Sequence, residues 1–436
     1  MLSFKDLIKE LEKEKLAVRI EKKVSSRFEA AYYLKKYDGK KAVVLGNVDD
    51  KGIPVVGNLI TNRRVLYKIL NAKNEHEAYL KILSSMREPK DPTITSKPRL
   101  KSLGNDLSKL PVLTYYEKDG GPYITSAIIA AKEPNDGVCN SSIHRMMIIS
   151  ENRLVVRIVP RHLYKIYNKA KDLGKELDVV VIIGSSPYFY IASASSPPYG
   201  VYELGVANAL SKGRLYSFTL DEETPPIPVD SEIIIRGRLL NEEAYEGPFT
   251  DITGTYDIVR KQPVLEVDDI LVTNDPTYYS ILPAGLEHMI LMGFPREASI
   301  WEAVSKSVPG VNSVRLTRGG CGWLTAVVSI RKQTEGDGKN AIIAAFASHP
   351  SLKVVIVVDD DVNVDDMDDV IWALSTRMQP SEDIIVIRDV RGSSLDPSSD
   401  QQKLLTSKLG IDATIPLYKP RKDFEKARIP WSEEGG

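Results

Sequence analysis

The chain has 436 residues, with 58 Lys and Arg against 59 Asp and Glu, and a formal net charge of −1. That length makes roughly three compact units, and the charge balance excludes the long-range basic field of a protein that binds nucleic acid or an anionic membrane. Two cysteines, Cys139 and Cys321, exclude a four-thiolate zinc site and a disulfide framework.

In chain order, Ser3 and Asp6 make a capping pair, and Phe4, Leu7, Ile8 and Leu11 recur at helical spacing, which predicts an amphipathic opening helix. The charged opening carries no apolar core of signal-peptide type, and no apolar run approaches the ~20 residues of a bilayer span, so the expectation is a soluble, cytoplasmic protein. Residues 42–46 and 53–57 read as short strands, 63–86 as one or two helices, and the Pro-rich stretch 88–98 as a boundary zone. From about 110 to 270, β-type segments at 123–131, 145–149, 154–159, 178–183, 214–220 and 232–240 are interrupted by helical stretches at 162–173 and 201–210. That texture predicts a mixed β-barrel or sheet carrying helices, not a doubly wound sheet.

After Trp301 the pattern alternates: strand 323–330, helix 339–347, strand 354–358, helix 367–378, strand 383–387. This predicts βαβ units and a parallel sheet, with Met367, Val370, Ile371, Leu374 and Met378 as the core stripe of the second helix. The expected division is an N-terminal α/β unit (1–110), a β-rich centre (111–300) and a C-terminal α/β unit (301–436). Its charged tail, 419–436, would reach over another surface or another subunit.

Phosphate loops fail first. Residues 52–57 have Walker spacing but continue Asn58-Leu59 in place of Lys-Ser/Thr, and no GxGxxG follows a strand. The acidic run 359–369 is a poor EF-hand, because a register from Asp359 puts Val364 at the glycine position and Val370 at the bidentate acid. Its alternative is structural: the end of a buried strand and the start of the next helix, where the dipole favours acids. Glu246-Gly-Pro-Phe-Thr-Asp251 is more informative. A strand cannot aim carboxylates five apart to one side, whereas a turn at Gly247-Pro248 can converge them. They are either a solvated turn or a pair in which a cation holds one acid ionised and the other stays protonatable. Arg145 and Arg157 are the candidate cations. Asn140, His162 and Glu203 would make a mixed ligand set suited to Mn²⁺ or Mg²⁺; singly, they also read as a turn residue, a helix start and an exposed acid.

Taken together, Asn140-x4-Arg145, 157–162, Glu203 in Tyr-Glu-Leu-Gly-Val-Ala, Glu246-Gly-Pro-Phe-x-Asp251, the run from Asp359 with 370–377, and 407–414 resemble the UbiD family of decarboxylases over nearly the whole chain. The resemblance implies an α/β (α+β) protein whose centre is a split β-barrel-like domain binding prenylated FMN. It further implies reversible removal of CO₂ from an unsaturated or aromatic acid. By it, Asn140, His162 and Glu203 hold a divalent metal, usually manganese, often with potassium. Ile143, His144, Arg145, Arg157, Ile158, Val159, His162 and Leu163 line the flavin, and Lys408 approaches its phosphate. Arg145, Glu246 and Asp251 are the catalytic network, with Asp251 the proton donor. The sequence departs from the family at Ser142 and His144, where Gly and Tyr are frequent, and at Thr250, often Gly.

The compact, Lys- and Ile-rich chain looks most like an archaeal branch acting on trans-anhydromevalonate 5-phosphate to give isopentenyl phosphate, a step of a modified mevalonate route. Arg161, Arg296 or Arg318 would then supply a basic recess for the substrate phosphate. An aromatic decarboxylase of polyprenyl-hydroxybenzoate or phenolic acids is the alternative within the family; outside it, a flavin reductase-like oxidoreductase or a non-catalytic homologue. The implied partners are a flavin prenyltransferase as cofactor supplier and further copies of the chain in a dimer or larger homo-oligomer.

Overall fold

A computed structural model describes residues 2–427 and 429. The chain forms two compact units, Met1–Arg296 and Glu297–Gly436.

In the first unit, helix α1 (Phe4–Lys13) opens with a reciprocal capping box. Ser3 Oγ accepts from the Asp6 amide at 3.1 Å, and the Asp6 carboxylate accepts from the Ser3 amide at 3.2 Å, an arrangement worth about 1 kcal/mol. Its stripe of Phe4, Leu7, Ile8 and Leu11 is buried as the spacing predicts. Strand β1 (Ala17–Val24) runs parallel to β2 (Ala42–Val48), with helix α2 (Glu29–Tyr37) between them in sequence; β2 is antiparallel to β3 (Val55–Gly57). The stretch 63–86 forms two helices, α3 (Arg63–Ile69) and α4 (Glu75–Arg87), because Asn62 and Asn74 each cap a separate start.

Six antiparallel strands then close into a barrel: β4 (Tyr123–Lys132), β5 (Cys139–Ser150), β6 (Arg153–Val156), β7 (Leu177–Ile183), β8 (Ile233–Glu246) and β9 (Arg260–Val272). Their order is β8-β7-β4-β5-β6-β9, and β9 pairs back with β8. Closure removes the free edges of the sheet. Helix α5 (His162–Asp172) packs on β4, β5 and β7, while α6 (Pro187–Ser195) packs against α7 (Glu203–Leu210).

Two expectations shift here, and one helix carries no signal in the sequence. The strand expected at 154–159 ends at Val156, because the Ile158 amide leaves the ladder and donates to Gln262 Oε1 at 2.8 Å. The strand expected at 214–220 shortens to Tyr216–Phe218. Helix α6 has no periodic signature, since all but one of its nine residues are buried and no polar face exists to mark it.

Helix α8 (Leu286–Ser305) crosses the boundary between the units. The second unit is a five-stranded sheet built from β10 (Val311–Leu316), β11 (Thr325–Ile330), β12 (Val354–Asp359), β13 (Ile384–Arg391) and β14 (Leu405–Ala413), in the order β10-β11-β12-β14-β13. The expected parallel sheet holds for β11-β12-β14, but β10 and β13 are antiparallel. The strand near 383–387 therefore sits on an outer edge, paired by a hairpin-like return and not by a crossover. Helices α9 (Asp337–Ser348) and α10 (Met367–Arg377) accompany the sheet.

The expected core stripe of α10 is corrected. Its buried residues are Val370, Ala373 and Arg377, while Met367 and Ile371 are exposed. The helix is turned so that Arg377 reaches Asp359 at 2.8 Å and Asp361 at 2.8 and 2.9 Å, an ion-pair demand that outweighs burial of two apolar side chains. The acidic run is thus structural: Asp366 caps α10, and Asp360 pairs with Arg331 and Arg421. Tail residues Arg421 and Lys426 bond to Asp360 and Asp369 of the same unit; the tail from Pro430 onward lies outside the described residues.

Candidate active site

Strands β8 and β9 form one long hairpin. Glu246, the last residue of β8, lies directly opposite Arg260, the first of β9. Between them the chain makes a smaller hairpin in which Phe249 pairs with Asp257 and Thr250 with Tyr256. Gly247 takes φ 104°, a conformation that favours glycine, and so lets the chain leave the barrel rim at that point. Asp119 fastens the excursion by accepting from the Thr250 and Tyr116 amides at 3.0 and 2.9 Å. Three acids, Glu246, Asp251 and Asp257, are thereby carried at the base, tip and return of a single loop.

They converge on Arg145 of β5. Its Nε and Nη2 meet the two oxygens of Glu246 at 2.9 Å each, Nη2 also donates to Asp257 Oδ2 at 2.7 Å, and Nη1 donates to Asp251 Oδ2. The guanidinium lies over the Phe249 ring, 4.7 Å from its centroid. Glu246 is fully buried and Arg145 nearly so. Burial works against the charge on Arg145, but Asp251, Glu246 and Asp257 outweigh it and hold the guanidinium protonated. Tyr123 of β4 donates to Glu246 Oε1 at 3.1 Å. Removing one partner of such a buried pair costs about 3–5 kcal/mol, because the survivor is left charged and unpaired.

Asp257, Arg260 and Tyr123 escaped the reading of the sequence. Arg260 clamps Asp257 through Nη1 and Nη2 at 2.8 and 2.7 Å. A trace of the signal is present, since Asp257 and Arg260 stand three apart directly after the acid turn. Nothing in the spacing shows that the chain doubles back onto Glu246. His288 on α8 is a further neighbour: burial lowers its affinity for a proton, while the charge of Asp251 acts in the opposite sense. Its Nδ1 accepts from the Ala284 amide at 3.3 Å.

Around this centre, alternation along β5 puts Ile143 and Arg145 on one face and Asn140, Ser142 and His144 on the other. His144 Nδ1 lies 2.9 Å from the Arg157 carbonyl, which only accepts, so Nδ1 carries the proton and Nε2 accepts from the Ser142 hydroxyl at 2.8 Å. Burial takes the imidazole down to about 4, leaving it neutral. Arg157 follows β6, with its Nε 3.9 Å from Asp257 Oδ2. Burial, helped by the charges of Arg260 and Arg145, brings it to about 10. Ile158 and Leu163 are buried, and Val159 is half-buried.

Of the three expected metal ligands, two meet. Asn140 Nδ2 donates to Glu203 Oε1 at 2.8 Å, and the Ser141 amide donates to Oε2 at 2.6 Å. Glu203 is 2 % exposed, and burial outweighs its hydrogen bonds from Asn140, Ser141 and its own amide and pushes its carboxyl up to about 8. A buried carboxylate that lacks a cation, beside an amide oxygen, fits a hard divalent ion. His162 opens α5 with its ring edge-on to Tyr199, 5.4 Å between centroids, and makes no hydrogen bond to Asn140 or Glu203. Among the described residues, no group of three His, Cys, Asp or Glu is arranged to hold a metal. Lys408 lies in the second unit, where Nζ donates to the Pro350 carbonyl at 2.7 Å and burial lowers it to about 8. Arg318 is in that unit as well.

Comparison with known proteins gives a consistent result along the chain. Models described as the N-terminal, Rift-related and C-terminal domains of 3-octaprenyl-4-hydroxybenzoate carboxy-lyase (UbiD) match residues 8–86, 89–286 and 289–413. The anhydromevalonate phosphate decarboxylase of Methanothermobacter thermautotrophicus is 44% identical over 411 residues, covering 93% of this chain and 96% of the relative. The UbiD-class enzyme HmfF from Pelotomaculum thermopropionicum, solved in complex with FMN, superimposes with a TM-score of 0.94 at 36% identity, over 98% of this chain and 97% of that one. An evolved dimeric form of HmfF, solved with prFMN, gives 0.91 at 34% identity, over 99% and 97%.

Proposed function

Because the chain belongs to the UbiD family of carboxy-lyases, we propose that it catalyses the reversible, non-oxidative decarboxylation of trans-anhydromevalonate 5-phosphate to isopentenyl phosphate, with prenylated FMN as cofactor. The observation that carries the chemistry is Arg145 held edge-on by Glu246 with Asp251 on its other edge. The likeness to an anhydromevalonate phosphate decarboxylase over 93% of the chain supports the substrate.

When bound, the modified flavin supplies the electron sink that an isolated carbon–carbon double bond lacks. The residues of the chain do the rest. Arg145, one edge of which is held by Glu246, presents Nη1 to the substrate carboxylate and to Asp251. Asp251 then delivers the proton to the carbon that has lost CO₂ and is recharged from solvent. Preorganised in this way, the pair pays no reorientation cost at the moment of reaction.

Asn140, Glu203 and His162 would hold Mn²⁺ or another divalent ion, which would supply positive charge for an anionic cofactor, with K⁺ as a further cation. Ile143, His144, Arg157, Ile158, Val159 and Leu163 would line the flavin. For the substrate phosphate the pair Arg161 and Arg296 is favoured. Arg296 donates to Ser196 Oγ at 2.7 Å, has no carboxylate partner among the described residues, and is lowered to about 10 by burial and by the charge of Arg161. A flavin prenyltransferase would supply the cofactor, and the protein would work in the cytoplasm as a homo-oligomer, in a modified mevalonate route.

The test is co-expression with a flavin prenyltransferase, reconstitution with Mn²⁺ and K⁺, and measurement of CO₂ release from a panel of acids. The phosphorylated aliphatic acid is expected to be turned over well above phenolic and polyprenyl-hydroxybenzoic acids. Turnover of an aromatic acid alone would assign the protein to the aromatic branch of the family instead.

A further inference from the structure

Arg145 has five N–H groups. Two are taken by Glu246, one on Nε and one on Nη2; the second on Nη2 goes to Asp257, and one on Nη1 goes to Asp251. Among the described residues, a single N–H, on Nη1, is left for a ligand. Glu246 alone would fix one edge of the guanidinium and leave it free to rock about that edge. Asp257 removes this freedom, because its Oδ2 takes the outward Nη2 proton at 2.7 Å.

Asp257 is itself immobilised. Both its oxygens are bonded to Arg260 at 2.7 and 2.8 Å, and Arg260 stands opposite Glu246 in the β8-β9 pair. The anchor of Asp257 and the anchor of Arg145 therefore share one rung of the barrel. Phe249, paired with Asp257 across the small hairpin, supports the guanidinium from below. Asp257 is also unsuited to giving up or taking a proton. Burial acts against its charge, but Arg145 and Arg260 outweigh burial and hold its carboxyl below the ordinary aspartate value.

We propose that Asp257, braced by Arg260, is a positioning residue for the reaction: it locks the guanidinium plane of Arg145 so that Nη1 stays aimed at Asp251 and at the substrate carboxylate while Asp251 cycles its proton. The lock matters because Asp251 must change its bonds each turnover. A guanidinium held by Glu246 and Asp257 does not follow when Asp251 lets go. This rests on the decarboxylase reading, and wild-type turnover is its internal control.

Asp257→Asn keeps the shape and removes the charge; Arg260→Gln leaves Asp257 in place without its brace. In enzyme loaded with prenylated FMN, Asp257→Asn is expected to lower kcat about 100-fold, the size of effect a misplaced reacting group produces, while KM and flavin affinity change less than threefold. Arg260→Gln should fall in the same direction by a smaller factor, and Asp257→Glu should recover part of the loss. In protein without cofactor, ¹⁵N NMR of the Arg145 guanidinium should show distinct Nη1 and Nη2 signals in the wild type and averaged signals in Asp257→Asn. Unchanged kcat, or an Arg145 spectrum identical to wild type, overturns the positioning role, as does a loss of kcat matched by an equal loss of flavin binding and thermal stability. A wild type inactive on every acid overturns the decarboxylase reading instead, and leaves the NMR comparison to decide the lock by itself.

Discussion

His144 shows how much a single buried side chain commits the fold. Its Nδ1–H is spent on the Arg157 carbonyl and its Nε2 on the Ser142 hydroxyl, so the ring ties the end of the metal-proposed segment of β5 to the stretch after β6. The folded state keeps it neutral down to about 4, whereas an unfolded chain takes up the proton near 6.5. Between those values the unfolded state binds more protons, so the contribution of His144 to stability is complete above pH 6.5 and is lost as pH falls towards 4, amounting to about 3 kcal/mol. Urea unfolding at pH 7 and pH 4.5 should therefore show a smaller drop for His144→Gln than for the wild type. Equal drops would mean that the imidazole is not the titrating group. Local chemistry of this kind was only partly legible in the sequence. Arg145, Glu246 and Asp251 stand in recognisable motifs, but Asp257 and Tyr123 owe their place to tertiary pairing that no local spacing encodes.

At the scale of elements, the legible parts were those with a period or a cap. Helix α1 and its capping box, and most barrel strands, follow from periodicity, a Ser cap and turn residues, while 63–86 was legible as helical but not as the two helices that Asn62 and Asn74 start. The parts that were not legible lack such marks: α6 is buried nearly all round, and β9 carries Pro263 and several charges within Arg260–Val272. The α10 stripe holds only in part: Val370 is buried and Leu374 packs against the core, while Met367 and Ile371 are exposed and Arg377, paired with Asp359 and Asp361, is turned inward. Closure of the barrel by β8 and β9 depends on Gly237, at the register shift after Arg236. A Cβ there would come within 2.3 Å of the Glu266 carbonyl oxygen, a backbone atom that cannot turn aside. Gly237→Ala should cost about 1–3 kcal/mol and bring the transition to lower urea in an equilibrium melt. A variant with wild-type stability would show that the β8-β9 closure tolerates a shift at this point.

For the whole molecule, near-zero net charge hides a concentrated arrangement. Arg145, Arg157 and Arg260 meet Glu246, Asp251 and Asp257 on one barrel rim. Three charges of each sign cancel when Asp251 is ionised and leave one positive charge when it holds a proton, which suits an anionic substrate arriving before proton transfer. In the proposed reaction this proton goes from Asp251 to the carbon that gives up CO₂. The most direct measurement is decarboxylation of trans-anhydromevalonate 5-phosphate in D₂O, by enzyme loaded with prenylated FMN and by its Asp251→Asn variant. The wild type should yield isopentenyl phosphate carrying one deuterium at the carbon that bore the carboxylate, while Asp251→Asn binds the flavin normally and releases no product. Deuterated product formed at the wild-type rate by Asp251→Asn would remove Asp251 from the role of proton donor.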